Sequence, residues 1–501
     1  MADLQPGPEE TKGTALHHNR LGVLGIVFFV VAAAAPLVGM TGAAPVAMVI
    51  GNGSGVPGAY LVAGITLLLF SFGYAAMSNH VTNTGAFFAY IGRGLGVAPG
   101  VGSSIVSLFA YIAIQLSIYG FFGVVVAGTM AGKFGIDLPW YIWVAIAWIL
   151  VMVLSYFSVD IGAKFLGVLM TLELLSLAVT SLAVLLKGGA EGLDFGASFS
   201  PAAIGAGVPG IALSFAFASF IGFEATAIYG EEAKDPKRTV PLATYLAVGT
   251  ITVLFALTSF AMVAGLGNTG LVDKVLAASG GLADPSAVLF SVASAFVGPW
   301  LADIMGFLVI SSLFAGLLAF QNSAARYLYA LGRAGVLPRK LDHVNTEGAP
   351  WLGSIVTGVI SAVVIAYFVV ANLDPFLNLF SWFSAVAVVA IVFVEILVCF
   401  AVVAYFGRTG ADTRFWHTKV APILAAFGLI YAEYLLMSRF GVLASTAPEG
   451  VDPTLPESAW ALNTTGWVLV ASSFVLFAIG AIIGVSRKSS ENRDLIDNLI
   501  S

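Results

Sequence analysis

The sequence is poor in charge: only 10% of its 501 residues are Asp, Glu, Lys or Arg, whereas 59% are hydrophobic. Soluble domains carry about 25% charged residues, so this composition excludes an ordinary water-soluble fold. Cysteine occurs once, as Cys399 in an apolar run, which excludes an internal disulfide. All five histidines lie in or beside polar connections, and no metal-ligand spacing is present. We therefore expect no metal site and no histidine relay through the apolar segments.

Two further absences restrict the class of function. No basic patch of the kind that binds nucleic acid is present. No nucleophile is arranged with a base, and no histidine falls inside an apolar segment. We therefore expect neither an enzyme nor a nucleic-acid-binding protein, and no cofactor.

Long apolar segments are abundant, and they predict an all-α membrane protein in contact with the lipid bilayer. About twelve of them are long enough to span, since a bilayer takes about 20 helical residues to cross. A further apolar run at 286–297 is too short to span. The predicted spans lie near residues 22–50, 55–77, 100–130, 139–158, 163–187, 208–230, 240–266, 299–329, 351–371, 375–406, 418–439 and 463–485.

The basic residues predict an orientation. With these spans, only Lys133, Lys187, Lys274 and Arg439 of the 21 Lys and Arg residues fall on one side. Cytoplasmic loops are enriched in Lys and Arg, so we expect that side to be external. The tails 1–20 and 486–501 are then cytoplasmic, in a multi-pass protein of the plasma membrane, namely a bacterial inner membrane.

Two spans contain helix-breaking residues at mid-membrane. Val31–Ile50 holds Pro36, Gly39, Gly42 and Pro45. Broken backbone inside a membrane survives only where a cavity, an ion or a solute satisfies its polar groups. Interrupted spans at corresponding places of two halves are typical of the substrate site of a secondary transporter.

The second such span, Pro209–Gly230, contains Ala218, Ser219 and Gly222, followed by Glu224. The spans form two sets of five, at about 22–187 and at about 208–406. Val31–Ile50 interrupts the first span of the first set, and Pro209–Gly230 is the first span of the second set. Two extra helices, at about 418–485, follow. An odd number of spans in each set would invert the second repeat relative to the first.

Three motifs resemble those of the amino acid–polyamine–organocation superfamily. Phe220–Glu224 with Gly230–Arg238 is similar to its sixth-span signature, Gly85–Tyr90 to its motif after span 2, and Arg326–Pro338 to its motif after span 8. The resemblance implies the five-plus-five inverted-repeat fold of the sodium-coupled leucine transporter, with helices 1 and 6 discontinuous. It also implies alternating access and a small amine-bearing solute, such as an amino acid or a polyamine.

The broken ends supply the predicted substrate site. Backbone N–H groups after a break at Val38–Gly42 suit a carboxylate, and carbonyls at Phe217–Ser219 suit an ammonium group. Close helix packing through small residues remains an alternative explanation of either cluster. The candidate substrate-binding residues are Pro36, Val38, Gly39, Met40, Thr41, Gly42, Gln115, Phe217, Ala218, Ser219, Phe220, Gly222, Ser381 and Trp382, and Ser312 and Ser384 are further pocket candidates.

Glu173 and Glu224 are the candidates for proton coupling. Glu173 lies inside a span without a basic neighbour, and an ionisable residue there is a functional hypothesis by default. A structural hydrogen bond is the alternative for either acid. The resemblance aligns Leu318 and Ala319 with the hydroxyls that ligate sodium in relatives, which favours H⁺ as the coupling ion.

The leading hypothesis is a proton-coupled importer of an amino acid or related amine. A sodium-independent exchanger is the alternative within the same class. A sensor that binds a solute on a transporter scaffold without moving it is the alternative from another class. The sequence leaves the solute, the stoichiometry and the oligomeric state open.

Overall fold

The computed structural model describes residues 21–81, 87–157, 160–282 and 284–487. The predicted tail 1–20, most of the predicted tail 486–501, and Gly85 and Ala86 of the second motif lie outside the described residues. Within the described residues the chain is helical, with no strand. Helices dominate because a backbone in hydrocarbon has to satisfy its own hydrogen bonds.

The first half of the chain contributes seven helices of nine residues or more, and two short ones follow. They are α1 (Val23–Ala34), α2 (Pro36–Ile50), α3 (Val56–Ser78), α4 (Phe87–Leu95), α5 (Val97–Phe134), α6 (Trp140–Tyr156), α7 (Asp160–Lys187), α8 (Phe195–Phe199) and α9 (Pro201–Ile204).

The second half begins with another broken helix. Its elements are α10 (Pro209–Phe220), α11 (Ala225–Ile228), α12 (Pro236–Leu266), α13 (Leu271–Ala278), α14 (Ser286–Phe296), α15 (Pro299–Arg333), α16 (Trp351–Val370), α17 (Ser381–Thr409), α18 (Ala421–Ser438), α19 (Phe440–Leu443) and α20 (Thr464–Arg487).

The helix count agrees with the predicted number of spans. Ten described helices are long and apolar enough to cross a membrane. The first predicted span is divided between α1 and α2, and α6 has only 17 residues. Adding these two gives the predicted twelve. The apolar run at 286–297 forms the short helix α14, as expected.

The two broken helices run in opposite directions. Leu21, just before α1, accepts a backbone hydrogen bond from Lys234 (2.7 Å) and donates one to Glu232 (3.0 Å), and both residues follow α11. The first broken helix therefore starts at the end of the bundle where the second one finishes. This inversion agrees with the five-plus-five fold expected from the sequence, and α18 and α20 occupy the part of the chain predicted to hold two extra helices.

The centre of the bundle is enclosed and its rim is apolar. In the most apolar 18 residues of the second broken helix, 94% of the residues are buried, whereas in the corresponding stretch of α20 only 22% are. Rim side chains such as Val370 and Leu186 are 87% and 78% exposed. An apolar rim of this extent, together with ten helices of spanning length, indicates a multi-pass membrane protein.

The segment at 78–96 departs from the sequence-based expectation. Its polar composition predicts an amphipathic helix on the cytoplasmic face. Instead, α4 packs between α5 and α17, and Phe87, Phe88 and Tyr90 are fully buried. Glycine explains the difference: a Cβ at Gly94 would lie 2.4 Å from the Cα of Ala401, so α4 approaches α17 at a distance that only glycine permits.

Candidate functional site

The first broken span is interrupted at Ala35, before the predicted Val38–Gly42. Ala35 has φ 42° and ψ 67°, in the left-handed region. Proline disfavours the right-handed helical conformation of the residue before it, so Pro36 moves the break to Ala35. The glycines that suggested the later position form a wide π-helical turn, Gly39–Ala43. The prediction of a break was correct, but its position was wrong by a few residues.

Glu173 holds this break. Its Oε1 accepts a hydrogen bond from the backbone N–H of Leu37 (2.5 Å) and another from the hydroxyl of Ser312 (2.9 Å). Leu37 is in the first turn after the break, where a helix has N–H groups without intrahelical partners. The side chain of Glu173 is buried, with 3% exposure. The N–H of Leu37, which precedes the donors expected from the sequence to bind a solute carboxylate, is therefore bound by a carboxyl group of the protein.

The second broken span loses its helix over Ile221–Glu224, between α10 and α11. Gly222 has φ +112°, which an L side chain rarely adopts. A Cβ on Gly222 would also lie 2.6 Å from the Cβ of Ala33 in α1. Glycine is therefore required here for two reasons, and its position brings the two breaks into contact.

Glu224 holds the second break as Glu173 holds the first. Its Oε2 accepts from the backbone N–H of Gly222 (2.9 Å), and its Oε1 accepts from the hydroxyl of Tyr111 (2.9 Å). Tyr74 donates to the backbone carbonyl of Glu224 (2.6 Å). At each helix break, one buried glutamate thus accepts a hydrogen bond from a backbone N–H group.

A small cavity of about 70 Å³ lies between the two breaks. Four of the predicted substrate-binding residues line it: Val38, Gly39, Ala218 and Ser219. Ser384, a further predicted residue, lines it as well. The hydroxyl of Ser219 is held by a bond to the carbonyl of Phe215 (2.8 Å).

The other predicted substrate-binding residues lie beside the cavity lining. Gln115 is directed away from the cavity, because its amide donates to Gln321 (2.8 Å). Ser381 donates to the carbonyl of Phe376. Those outside the lining are Pro36, Met40, Thr41, Gly42, Gln115, Phe217, Phe220, Gly222, Ser381 and Trp382.

Sequence reasoning missed the face of α5 that lines the cavity. Ile114, Ser117 and Ile118 line it at helical spacing i, i+3 and i+4. Gln115 follows Ile114 by one residue, which turns it by about 100° around the helix. The hydroxyl of Ser117 is buried and has no hydrogen-bond partner among the described residues, so it is free to bind a solute. The other lining residues that the sequence did not predict are Ala33, Ala34, Ala35, Ala43, Phe215, Ile221, Leu313, Phe320 and Phe380.

The cavity lining carries no net charge. Among the described residues it contains no Asp, Glu, Lys, Arg or His, and its polar side chains are the hydroxyls of three serines. Glycine, alanine, valine, isoleucine, leucine and phenylalanine supply the remainder. Backbone groups at the breaks and hydroxyls can bind the two charges of a zwitterion, and the apolar wall suits an uncharged side chain.

An aromatic lid separates this cavity from a wider vestibule of about 480 Å³ at the end of the bundle that contains Lys133. Phe121 and Phe376 face the vestibule, and Phe380 faces the cavity. The rings of Phe376 and Phe380 stack with their centroids 4.9 Å apart. The ring centroids of Phe121 and Phe380 are 5.3 Å apart. We call these three residues the aromatic lid. A Cβ on Gly42 would lie 2.9 Å from the ring of Phe121, so only glycine at this position of the first broken span leaves room for the lid residue Phe121.

The opposite end, which contains Arg326, is closed by a buried ion pair. Arg326 donates to both carboxylate oxygens of Glu232 (2.8 and 3.4 Å), and its guanidinium lies 4.9 Å from the ring centre of Tyr229. Arg326 is only 3% exposed. The sequence predicts a cytoplasmic charge cluster of Glu231, Glu232, Lys234, Lys237 and Arg238. In the structure, Glu232 of this cluster pairs with Arg326, which the prediction did not include. The side chain of Glu231 is not described.

A second ion pair ties loops together at the Lys133 end. Glu191 accepts from Lys274 (2.6 Å) and from the backbone N–H of Thr269 (2.9 Å). The hydrogen bond from Lys274, with that from Thr269, lowers the pKa of Glu191 to about 2. This carboxylate stays ionised at neutral pH. Glu191 connects two loops outside the membrane-spanning helices, whereas Glu173 and Glu224 bond to backbone at the two helix breaks.

Comparison with known sequences points to one family. The model of a family described as "Amino acid permease" matches residues 21–472. Similar curated proteins include the branched-chain amino acid permease BcaP of Lactococcus lactis, 28% identical over 44% of this chain and 43% of that protein. The lysine-specific permease of Saccharomyces cerevisiae is 24% identical over 63% of this chain and 52% of that protein. The matched part of the chain thus spans about half the length of these two relatives.

A third relative and a solved structure extend the comparison. The methylthioribose transporter of Bacillus subtilis is 24% identical over 74% of this chain and 77% of that protein. A crystal structure of the Eremococcus coleocola manganese transporter matches 96% of this chain and 99% of that one, with a TM-score of 0.55 and 13% identity. At this identity the structural likeness concerns the fold alone.

Proposed function

Because this chain belongs to the amino acid permease family, within the amino acid–polyamine–organocation superfamily, we propose that it imports a neutral amino acid with an apolar side chain together with a proton. The observation that carries the proposal is the uncharged cavity between two broken helices. The breaks supply the groups for the ends of a zwitterion, and the wall supplies an apolar pocket for its side chain.

The lining favours a neutral solute over a cationic one. A lysine or polyamine side chain in a dry pocket needs a carboxylate partner, because an unpaired buried charge is costly. The nearby acids, Glu173 and Glu224, accept hydrogen bonds from Leu37 and Gly222 at the breaks and are not part of the lining. Of the two permeases compared above, the branched-chain one offers the better analogy for the substrate.

The proton is the proposed coupling ion, with Glu173 as its carrier and Glu224 as a second carboxyl. Both acids are buried and both hold backbone at a break. A bound solute and a bound proton would therefore act on the same two segments of backbone. That shared target is the physical basis for a coupling free energy between them.

Alternating access is the proposed transport cycle. The aromatic lid, Phe121, Phe376 and Phe380, would open the cavity to the Lys133 end, and release of the Glu232–Arg326 pair would open it to the other end. Solute and proton shift the population between these states by binding one of them more tightly. From the distribution of basic residues, we assign the Lys133 end to the outside of a plasma membrane and both chain termini to the cytoplasm.

The test is uptake into proteoliposomes with an acidic exterior. We expect radiolabelled leucine to accumulate, valine, isoleucine and alanine to compete, and lysine and glutamate to compete poorly. Replacement of sodium by choline is expected to leave uptake unchanged. Lysine uptake that leucine fails to inhibit would refute the substrate class, and dependence on sodium would refute the coupling ion.

A matched pair of variants tests the cavity itself. Ser117→Ala removes a cavity hydroxyl without a partner, and Ser104→Ala removes a hydroxyl of the same helix that bonds to the carbonyl of Val101. A hydrogen bond contributes about 0.5–1.5 kcal/mol, so Ser117→Ala should raise KM roughly twofold to tenfold. Ser104→Ala should leave KM unchanged. Equal KM values for both variants would remove Ser117 from the site.

The same vesicles distinguish the remaining alternatives. A sodium-independent exchanger would show counterflow of labelled leucine after the proton gradient is collapsed, and no net uptake driven by it. A sensor would bind leucine without any flux. Net uptake that stops when an ionophore dissipates the pH gradient supports the importer.

A further inference from the structure

Two buried acids lie outside the cavity and outside the breaks. Glu395 is in the middle of α17, and Glu433 is near the end of α18, with 3% and 7% exposure. The two helices pack against each other, and both also pack against α10, which leads to the second break. Neither acid belongs to the solute cavity.

Both acids have oxygens without partners. Oε2 of Glu395 and both carboxyl oxygens of Glu433 are buried and lack a hydrogen-bond partner in the described part of the chain. Neither acid forms an ion pair with a described Lys or Arg. An isolated carboxylate in such surroundings costs several kcal/mol, whereas a protonated carboxyl is neutral. These surroundings therefore favour the protonated, neutral form of each carboxyl group.

The groups that act electrostatically on these acids are themselves acidic. Glu395 interacts with Glu433 from α18 and with Glu224 beyond the end of α10. On its own helix it interacts with Cys399, one turn away. No basic group among the described residues contributes at either acid. Glu395 is thus close enough to interact with both Glu433 and the acid that holds the second break.

Close contacts place the acids in sequence along the bundle. A Cβ on Gly73 would meet both Val402 of α17 and Pro422 of α18, so these two residues lie at one level. Glu395 lies seven residues before Val402 in α17, and Glu433 lies eleven residues after Pro422 in α18. At 1.5 Å per residue, Glu433 lies about 6 Å further along the axis than Glu395.

The direction of that step is toward the Lys133 end. A Cβ on Gly120, in the part of α5 that leads to Lys133, would lie 3.0 Å from the backbone nitrogen of Phe380, just before α17. The start of α17 therefore faces the Lys133 end, and α18, which runs in the opposite direction, ends there. Tyr74, the residue after Gly73, donates to the backbone carbonyl of Glu224, so Glu224 lies near the level of Val402, on the side of Glu395 away from Glu433. From the Lys133 end toward the second break, the order is therefore Glu433, Glu395 and Glu224.

We propose that Glu395 and Glu433 form a second proton site, through which protons pass between the Lys133 end and Glu224 beside the solute cavity. The inference rests on the proposed proton coupling. Each step moves one proton: ionised Glu224 takes it from the carboxyl of Glu395, which becomes a carboxylate. Glu395 is then refilled from Glu433, and Glu433 from water at the Lys133 end. The route lets a proton reach the break while the aromatic lid covers the cavity.

Infrared spectroscopy of the purified protein in lipid tests the protonation directly. The C=O stretch of a protonated carboxyl is separate from that of a carboxylate. We expect a buried carboxyl band at neutral pH that loses intensity in Glu395→Gln and in Glu433→Gln. The control is Glu347→Gln, the same chemical change in an exposed loop, which should leave the band intact. A band that neither buried substitution alters would overturn the proposal, whatever the result of transport assays.

Uptake then tests the route. Both Gln variants should keep the thermal stability of the wild type and slow pH-driven uptake at least about tenfold, because a relay inside a membrane depends on each ionisable member. Leucine counterflow at equal pH should remain within about twofold of the wild type. Aspartate at each position should restore part of the pH-driven rate. Full pH-driven uptake in both Gln variants would eliminate the route yet leave the proposed function intact, whereas wild-type protein without pH-driven uptake would refute the proposed function.

Discussion

Substitution of Glu173 separates its two proposed roles, as an acceptor that holds the first break and as the carrier of the coupling proton. Gln at this position keeps one carbonyl oxygen able to accept from Leu37 and Ser312, the two donors now at 2.5 and 2.9 Å. It cannot bind or release a proton. Leu at the same position removes both the acceptor and the acid.

The expected loss of stability follows from the two hydrogen bonds. A buried donor left without an acceptor costs about 1–3 kcal/mol. Glu173→Leu leaves two such donors, so it should destabilise the protein by about 2–6 kcal/mol. Glu173→Gln retains the acceptor and should cost no more than about 1 kcal/mol. Ser312→Ala removes one donor and preserves the acid, which makes it the matched control.

Thermal unfolding in one detergent and uptake into liposomes at several external pH values form the assay. We expect Glu173→Gln to unfold near the wild-type temperature and to lose the pH dependence of uptake. Glu173→Leu should unfold at a clearly lower temperature, and Ser312→Ala should keep the pH dependence. Wild-type pH dependence in Glu173→Gln would exclude Glu173 as the proton carrier. Wild-type stability in Glu173→Leu would show that the break does not depend on this acceptor.

Two further predictions concern backbone and charge. Gly222→Ala should destabilise the protein by at least about 1–3 kcal/mol, because it forces Ala into the positive-φ region and against Ala33, 2.6 Å away. Gly230→Ala, whose Cβ would meet Val240 at 3.7 Å, is the control, and equal unfolding temperatures for the two variants would contradict the argument. Glu232→Gln leaves buried Arg326 without its partner, which costs about 3–5 kcal/mol, and the double variant with Arg326→Gln should recover part of that loss. A single variant as stable as the wild type would show that the pair does not hold this end closed.

The fold was predictable because its signals are local. Runs of apolar residues locate spans, and Pro with Gly locates interruptions, since both act on the backbone where they stand. The position of the first break was not predicted, because two local signals competed. Glycines at 39 and 42 permit an irregular backbone, whereas Pro36 imposes one on Ala35. The restriction imposed by proline was decisive.

The site was predictable only in part, because a side chain's direction depends on tertiary packing. Val38, Gly39, Ala218 and Ser219 follow from the breaks themselves. Gln115 is a predicted pocket residue, but in the structure Ile114 and Ser117 of the same helix line the cavity instead. The aromatic lid combines residues from two helices distant in sequence, and no local pattern indicates such a pairing.

The structure changes the physical interpretation of the breaks. From the sequence, a cavity, an ion or a solute is expected to satisfy the open backbone inside the membrane, yet Glu173 and Glu224 each satisfy one N–H there. An ionised carboxylate forms a hydrogen bond roughly twice as strong as that of a neutral acceptor. In the proposed cycle, protonation would therefore weaken the hold on Leu37 and on Gly222 together. The proton would loosen both hinges while the solute binds between them, which gives a physical reason for both to be present before the helices move.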